Sequence, residues 1–354
     1  MSGGIRVISI YADRLVKRGH TVNIVTQPRK QLTFRAKLKQ FLKGQGWPKK
    51  MLEEASHLDG LGLSIHCIES HRPVVDKDVP DGDVAIATFW RTGQWVANMS
   101  ASKGAKAIFL QGYEASPGHE DPYMDSVWRM PLRKIVISKW LIDLAGEKFG
   151  DFNALHVPNS VDILQFNAPE RGKQLVPTIG FLYSTVHLKG VDTILAALKN
   201  VRDRIPGLRV IAFGAHPVAP ELPLPGYVEF HLLPSQQLIP KLYAACDVWV
   251  CGSRREGYHL PPLEAMACRC PVVSTKVGGP LDNIIDGVNG YLVDVDDFEA
   301  LAARIIDVLL LPEPIWRRMS DAALESATRY SWDDATDRFE MALHEIVGEA
   351  KLVN

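Results

Sequence analysis

The sequence predicts an α/β protein built from two doubly wound parallel sheets, one in each half of the chain. Short β-branched apolar runs alternate with helical patterns over the 354 residues, which is typical of parallel sheets covered by helices. A chain of this length forms two ordinary domains more readily than one oversized core. The apolar pattern breaks at 158–175, with Pro158-Asn159-Ser160 and then Pro169-Glu170-Arg171-Gly172-Lys173, so we place the domain junction there.

The strands follow from the apolar runs, and the helices between them each carry one apolar stripe. We expect the strands at 21–26, 62–67, 83–89, 106–111, 134–137, 177–183, 208–213, 227–232, 247–251, 271–274 and 290–293. The first helix follows Gly3-Gly4 directly, although a Rossmann-like half begins with a buried strand before its glycine turn. We therefore expect that strand to be missing from this sequence, and the sequence leaves open whether the chain is active without it.

Charge and cysteine content exclude several classes of protein. The 40 basic and 41 acidic side chains nearly cancel, so no overall field implies a nucleic-acid partner. The five cysteines lack the spacing of redox or zinc pairs and are expected to be reduced thiols. No apolar run reaches the roughly 18 to 20 residues of a membrane helix, and the N-terminus lacks a secretion signal. We expect a cytoplasmic protein, either soluble or peripheral on the inner face of the membrane.

Residues 28–50 are rich in lysine and arginine and contain no acidic residue. Phe34, Leu38, Phe41 and Leu42 lie among the basic residues at helical spacing. A basic amphipathic helix of this kind can dock on an anionic membrane surface. It can equally be a solvated helix whose apolar stripe packs on its own domain, and the sequence leaves both interpretations open.

The most informative stretch runs from Glu256 to Ala267 and follows the apolar strand 247–251. Its sequence, Glu-Gly-Tyr-His-Leu-Pro-Pro-Leu-Glu-Ala-Met-Ala, predicts a glycine-bearing loop and then a helix. Prolines suit a first helical turn, where free loop amides can point at an anion. Glu256 then lies in the loop and Glu264 one turn into the helix, near the sheet edge where open α/β folds bind ligands.

Two carboxylates at such a site suit hydroxyl groups better than phosphate. A carboxylate that accepts hydrogen bonds from two neighbouring O–H groups forms charge-assisted bonds, and sugars and ribose present such pairs. The alternative is that Glu264 only stabilises its helix and Glu256 is a surface loop residue. The residues alone leave both possibilities open.

The stretch resembles the Glu-x7-Glu motif of retaining GT-B glycosyltransferases, above all glycosyltransferase family 4, also called group 1. Gly3-Gly4, Asn159-Ser160-Val161-Asp162, Lys189-Gly190, Pro271-Val272-Val273 and Gly278-Gly279 match the same family in the same order. The resemblance implies two Rossmann-like domains facing across a cleft, an acceptor-side domain over 1–165 and a donor-binding domain over 166–330. It also implies that the final helix, 331–354, packs back on the first domain.

The family implies an activity and roles for particular residues. The expected reaction moves a hexosyl or deoxyhexosyl group from a nucleotide-diphosphate sugar to a saccharide or lipid-linked acceptor, with retention and with neither metal nor cofactor. Glu256 matches the glutamate that lies against the donor sugar, Glu264 the one that binds the ribose, and Lys189 the lysine that holds the diphosphate. A fixed cation there stabilises the charge that develops on the leaving nucleotide. The expected donor site also includes Gly3, Gly4, Ser184, Gly257, Tyr258 and Leu260.

Three positions depart from the family pattern. Ser184 stands where the family usually has an arginine, which removes a charge from the phosphate clamp. His259 replaces a glycine, and its side chain could reach the leaving group or the acceptor, so we include it among the candidate catalytic residues, although a lone histidine is more often structural. Arg269 replaces a common glycine at a helix end and is expected to be a surface residue.

In the first half, two loops follow predicted strands and resemble a rhamnosyltransferase-like branch of the family. They contain Trp90 and Arg91, and Tyr113 and Glu114. Aromatic rings suit the faces of sugars, although most buried aromatic residues belong to the core. These four residues are therefore candidates for the acceptor side of the site.

Other functions remain possible on related architectures. An oxidoreductase is disfavoured because no Gly-x-Gly-x-x-Gly turn follows a strand. A nucleotide-sugar epimerase, a sugar phosphorylase or a sugar-binding module without activity would share much of the fold. Three Asp-x-Asp matches, at 76–78, 81–83 and 294–296, are too short to predict a metal site.

Overall fold

The computed structural model describes residues 3–28, 57–113 and 122–353. In chain order, the first elements are α1 (Gly3–Lys17), β1 (Asn23–Thr26), β2 (Ser64–Cys67), β3 (Val84–Ala87), α2 (Trp90–Ala97), β4 (Ala105–Leu110), α3 (Pro122–Trp128), β5 (Arg133–Val136), α4 (Lys139–Phe149) and β6 (Leu155–His156). The strands that follow are β7 (Thr178–Leu182), β8 (Arg209–Gly214), β9 (Val228–Leu232), β10 (Val248–Cys251), β11 (Val272–Thr275) and β12 (Gly290–Val293). The remaining helices are α5 (Val191–Arg204), α6 (Ile239–Ala244), α7 (Leu260–Ala267), α8 (Pro280–Asn283), α9 (Phe298–Leu310), α10 (Glu313–Thr328) and α11 (Trp332–Val353).

The predicted strands are all present, with ends displaced by at most two residues. Only β6 was not predicted, because two residues are too few to form a recognisable apolar run. The expectation of a strand before Gly3 concerns residues outside this chain and stays a prediction. The basic segment 28–50 lies, apart from Pro28, outside the described residues.

The described chain divides into two compact units. Unit 1 contains the residues up to Ile135, the short stretch Asn153–Leu155 and the chain from Thr336 onward. Unit 2 contains Val136–Phe152 and His156–Ala335. This division differs from the sequence-based boundary at 165, because residues at the start of α4 bond to loops of unit 2, as described below.

Unit 1 has a two-stranded sheet, β1-β2, and a second sheet ordered β3-β4-β5-β6. β1 and β2 are parallel, and so are β3 and β4. Aromatic side chains join α1, β4 and α11: Tyr11 stacks on Phe339 with ring centroids 4.5 Å apart, and Phe109 meets both rings edge-on. Around this core, Glu340 of α11 accepts hydrogen bonds from Arg18 and lies 2.6 Å from His20.

Unit 2 has one parallel sheet ordered β12-β11-β10-β7-β8-β9. The strands that begin the two halves of this unit, β7 and β10, lie side by side, and the chain moves outward from them in opposite directions. Buried strand residues such as Ile179 and Val250 pack on the apolar stripes of α5 and α9, including Leu198 and Ile305. Each such aliphatic side chain contributes about 1.5–3 kcal/mol on burial, so this core stabilises the sheet that carries the loops.

Candidate functional site

The sheet order of unit 2 selects one place for a ligand. In open α/β sheets, ligands bind outside the carboxyl ends of the strands where the strand order reverses. Here that point lies between β7 and β10. The loop after β7 contains Ser184 and Lys189, and the loop after β10 contains Glu256. Residues far apart in sequence are therefore brought to one edge.

Two glycines allow these loops to touch. Gly190 has φ +57°, and a Cβ placed on it would lie 1.8 Å from the carbonyl oxygen of Gly252. A Cβ on Gly252 would in turn lie 2.7 Å from the carbonyl oxygen of Gly190. Only glycine fits both the backbone conformation and the spacing. Because Lys189 precedes Gly190 directly, this approach carries its side chain to the second loop.

The contact between the loops ends in a compact ion pair. Lys189 Nζ donates to both carboxylate oxygens of Glu256, at 2.8 Å and 3.0 Å. Ser253 Oγ donates to Glu256 Oε1 at 2.7 Å, and the carbonyl of Ser253 accepts from Thr275 Oγ1 at 2.6 Å. The Glu256 side chain is 11% exposed and that of Lys189 is 32% exposed. Sequence inspection missed Ser253 and Thr275, because single hydroxyl residues form no motif.

The carboxyl group of Glu256 is ionised. Burial is the largest single influence on the pKa of Glu256 and raises it, but His259 and Lys189 together outweigh burial and hold the pKa at about 2. The ion pair with Lys189 is therefore fully formed at neutral pH. Lys189 and Glu256 neutralise each other as long as no ligand separates them.

His259 occupies a strained position beside this pair. Its φ is +72°, where a non-glycine residue costs about 1–2 kcal/mol. The imidazole is 4% exposed, and its Nδ1 lies 3.0 Å from Glu256 Oε1. Both ring nitrogens are buried, and neither makes a hydrogen bond of good geometry within the described structure. An unsatisfied buried nitrogen costs about 1–3 kcal/mol, and such a cost at a ligand-binding edge indicates a functional position.

The start of α7 leaves several backbone donors unused. Among the described residues, the N–H groups of Gly257, Tyr258, His259 and Leu260 meet no acceptor. Pro261 and Pro262 carry no backbone N–H group. Consecutive backbone N–H groups without an acceptor therefore lie in the loop and at the first residue of α7. The next two residues of the helix, both prolines, add no N–H group.

Glu264 lies inside unit 2, one turn into α7. Its carboxylate accepts a hydrogen bond of 3.0 Å from the hydroxyl of Tyr243, and the residue is 8% exposed. Burial, together with the nearby carboxylate, raises the pKa of Tyr243, so its hydroxyl stays protonated and donates. The tyrosine thus orients this carboxylate, a role that the sequence did not reveal.

Neighbouring loops hold the motif loop in place. Gly278 and Gly279 after β11 pack on it: Gly279 N–H donates to the carbonyl of Tyr258 at 2.6 Å, and a Cβ on Gly278 would lie 3.0 Å from Glu256 Cβ. The carbonyl of Gly257 accepts from Trp140 Nε1 at 2.9 Å and from Ser138 Oγ at 3.2 Å.

A further bond leads from α4 to α8, since Lys139 N–H donates to Asp282 at 3.0 Å. These bonds explain why the segment around α4 belongs to unit 2. No sequence motif marks Ser138 or Trp140 as partners of a loop more than a hundred residues away.

Arg254 is occupied by structural partners. It pairs with Asp192 at 2.7 Å and with Asp296 at 2.7 Å, and it donates to the carbonyl of His187 at 2.7 Å. It therefore fastens the loop before α5 to the loop after β10. Ser184, at the position of the expected family arginine, is half-buried, and its hydroxyl accepts from Val186 N–H at 3.2 Å. Ser184 therefore supplies no positive charge at this position.

The residues predicted in the first half lie in unit 1. Gly3 begins α1, and the carbonyl of Gly4 accepts from Gln111 at 3.2 Å. Trp90 begins α2, with the guanidinium of Arg91 4.7 Å from its ring. Tyr113 donates to Asp125 at 2.6 Å. Glu114 lies outside the described residues.

Five of the six aspartates in the Asp-x-Asp matches are engaged with cations or backbone groups. Asp78 pairs with Arg72, Asp81 with Lys103 and Asp294 with Lys276. Asp76 accepts from the backbone N–H of Ser100, and Asp296 pairs with Arg254 as described above. Within 3–28, 57–113 and 122–353, no three His, Cys, Asp or Glu side chains are grouped to hold a metal ion.

Arg269 has φ +60° at the end of α7, where a glycine was expected. Its side chain pairs with Asp321, and its carbonyl accepts from Ser320 Oγ at 2.7 Å. The side chain is 18% exposed, so the prediction of a surface residue is only partly met.

Comparison with known proteins finds a similar family for part of unit 2. Residues 174–310 match the family model described as "Glycosyl transferases group 1". These residues, called the group 1 domain below, contain Lys189, Glu256 and Glu264, and thus both loops that meet at the reversal of strand order.

Curated relatives are also glycosyltransferases. The chain is 30% identical over 203 residues to a D-inositol 3-phosphate glycosyltransferase of Segniliparus rotundus, a match that covers 51% of this chain and 44% of that protein. It is 28% identical over 290 residues to the protein of the same name from Mycolicibacterium smegmatis, covering 72% and 65%. The chain thus spans less than half the length of the first of these relatives.

Solved structures establish the fold as GT-B. The Anabaena protein Alr3699/HepE, solved with UDP and glucose, superposes with a TM-score of 0.71 at 17% identity and covers 97% of this chain and 96% of its own. Sucrose-phosphate synthase from Thermosynechococcus elongatus superposes with a TM-score of 0.70 at 16% identity and covers 96% and 92%. The predicted fold class is therefore confirmed. No described helix is both long and apolar enough to cross a bilayer.

Proposed function

We propose that this protein is a glycosyltransferase that moves a sugar from a nucleotide-diphosphate sugar to a hydroxyl group of a saccharide or lipid-linked glycan, with retention of anomeric configuration. The group 1 domain and the glycosyltransferase relatives support transfer of a sugar. The observation that carries the proposal is the meeting of Lys189 and Glu256 at the strand-order reversal, next to four unused backbone N–H groups.

In this proposal, Lys189 and the loop amides bind the diphosphate. When the donor enters, its phosphate oxygens take up hydrogen bonds that Lys189 otherwise gives to Glu256. Cleaving the bond between the sugar C1 and the phosphate oxygen places charge on the leaving nucleotide, and a fixed ammonium group stabilises that charge in the transition state. The carboxylate of Glu256 is then released to accept hydrogen bonds from sugar hydroxyls.

Glu264 binds the ribose in this scheme. Its side chain is oriented by Tyr243, and an oriented carboxyl group suits a pair of neighbouring hydroxyl groups. Gly257, Tyr258 and Leu260 contribute backbone N–H groups to the donor. The expectation that Gly3 and Gly4 also bind the donor stays a prediction.

Retention follows from transfer on one face of the sugar. The acceptor oxygen forms a bond to C1 on the face from which the phosphate oxygen departs, and the departing phosphate accepts the acceptor's proton. Atoms and charge balance without an enzymatic nucleophile, a metal ion or a cofactor. An epimerase or a phosphorylase is not favoured, because the similar proteins are glycosyltransferases.

The acceptor is proposed to bind unit 1. Trp90 and Arg91 form a cation–π pair after β3, and the exposed ring of Tyr123 lies 4.8 Å from the Trp90 ring. Exposed aromatic groups of this kind suit sugar faces. Binding of the basic segment 28–50 to anionic lipid would favour a lipid-linked acceptor, and sedimentation with and without anionic vesicles tests this binding.

Thermal unfolding with UDP, GDP, ADP and their sugars tests the donor, because bound ligand stabilises the folded state. Release of nucleotide is then followed with and without saccharide acceptors. Glu256→Gln and Lys189→Met should each lower transfer by about 10²-fold or more.

Glu229→Gln is the matched control, because Glu229 also pairs with an arginine, at 2.6 Å, and a histidine, at 2.9 Å, but lies on β9. Normal transfer by both site variants would refute the proposed site. Phosphate-dependent cleavage would instead indicate a phosphorylase, and conversion of the donor without acceptor an epimerase. Proton NMR of the product's anomeric signal decides retention.

A further inference from the structure

The proposed donor site lacks positive charge. Each phosphate of a nucleotide-diphosphate sugar is ionised at neutral pH. Lys189 faces this diphosphate already paired with Glu256, so the pair carries no net charge. Ser184 supplies a hydroxyl where the resemblance leads us to expect an arginine, and Arg254 is held by Asp192 and Asp296. Arg255 is half-buried on the same loop, and a cation in contact with Glu256 itself would strengthen the binding of a diphosphate here.

His259 has the placement that this cation requires. Its ring touches the same carboxylate as Lys189, with Nδ1 3.0 Å from Glu256 Oε1. The side chain is 4% exposed, and Nε2 has no hydrogen-bond partner in the described structure. Its backbone has φ +72°, a conformation that glycine adopts without strain. His259 therefore adopts a backbone conformation that histidine disfavours, and its Nε2 is left without a hydrogen bond.

In this arrangement the ring of His259 lies between two hydrogen-bond acceptors. An ionised carboxylate only accepts hydrogen bonds, so a proton on Nδ1 gives the favourable contact with Glu256. A phosphate oxygen likewise only accepts, so binding it requires a second proton on Nε2. A ring between two such acceptors is suited to donate a hydrogen bond from each nitrogen.

The helix start adds a reason for a side-chain donor. Helix starts ordinarily bind anions through their first backbone N–H groups. In α7, Pro261 and Pro262 remove two of these groups. His259, directly before the first helical residue, can restore one donor and adds a charge.

We propose that the imidazolium of His259 binds the donor's diphosphate through Nε2–H and supplies the positive charge absent at Ser184. The inference rests on the proposed function and assigns a specific role to a residue at which this chain departs from its family. His259 then binds the leaving group together with Lys189, while its Nδ1 keeps the contact with Glu256.

Isothermal titration with the nucleoside diphosphate that stabilises the chain most, and with the matching monophosphate, tests this role. The ratio of the two affinities isolates the outer phosphate, since base, ribose and inner phosphate are common to both. His259→Gly and His259→Gln should each lower the diphosphate affinity about tenfold, or about 1.4 kcal/mol, and leave the monophosphate affinity unchanged. Glycine suits the backbone at 259, so this variant should also keep the fold.

His231→Gln is the matched control, because His231 also lies 2.9 Å from a glutamate, on the edge strand β9. It should leave the ratio as in the unchanged chain. Adding Ser184→Arg to His259→Gly should restore the ratio, because the charge returns from the other loop. A ratio within twofold of the unchanged chain in both His259 variants overturns the inference, and so does an equal fall in both affinities. If the unchanged chain binds no nucleoside diphosphate, the proposed function itself fails.

Discussion

Replacing Lys189 by methionine and Glu256 by glutamine, separately and together, measures how strongly the two residues hold the loops together. At 2.8 Å, and with an effective dielectric constant near 20, the attraction is about 6 kcal/mol before solvation is counted. Desolvation removes most of this. Exposed pairs retain about 0.2–1 kcal/mol, whereas breaking a fully buried pair costs about 3–5 kcal/mol. Because Lys189 is 32% exposed, we expect a coupling free energy of about 2 kcal/mol.

The coupling is obtained from urea unfolding of the unchanged chain, the two single variants and the double variant at pH 7. It is the amount by which the summed losses in unfolding free energy of the two single variants exceed the loss of the double variant. Each single variant should be less stable than the unchanged chain, and the double variant should recover part of the loss because neither charge is left alone. The corresponding cycle at Arg209 and Glu229, an exposed pair at 2.6 Å, should give less than about 1 kcal/mol. A coupling at Lys189 no larger than at this control pair would show that the loops are held by their glycines and not by the ion pair.

Three further predictions follow from burial and backbone geometry. The pKa of Glu256 is lowered from 4.5 to about 2, so its contribution to stability is complete above pH 4.5 and is lost as the pH falls towards 2; acid unfolding of Glu256→Gln should show a smaller loss over this window. Gly190→Ala should cost more than about 3 kcal/mol, because its Cβ would meet a carbonyl oxygen at 1.8 Å, whereas Gly207→Ala, with φ +81° and open space, should cost about 1 kcal/mol by thermal unfolding. Among the free cysteines, Cys67 is exposed and the other four are buried with raised thiol pKa values, so a thiol reagent should modify one cysteine in the folded protein and all five in denaturant; rapid reaction of more than one would contradict the described core.

Much of the fold could be predicted from local pattern. Buried parallel strands are continuous apolar runs, so the run around Val248 and the run around Ile179 identify β10 and β7 without tertiary information. The short β6 has no such run and was missed. The hydrogen bond from Trp140 to Gly257 joins residues over a hundred positions apart, and no local pattern encodes it.

Only part of the candidate site could be predicted from the sequence. Glu256, Glu264 and Lys189 are recognisable by their motif, but their partners are not. Ser253 and Tyr243 each hold one of the glutamates, and each is an ordinary residue in its own segment. Their role arises from strand order, which places separate loops side by side.

What the sequence by itself determined was the α/β class, the positions of the strands, and the residue types that face the carboxyl edge of unit 2. Those properties follow from hydrophobic period and turn residues, which act over a few neighbours. Only the tertiary structure decided that Lys189 pairs with Glu256, that Gly190 and Gly252 are in contact, and that His259 lies strained beside the same carboxylate. These features depend on which strands are adjacent, and adjacency is decided by packing of the whole sheet.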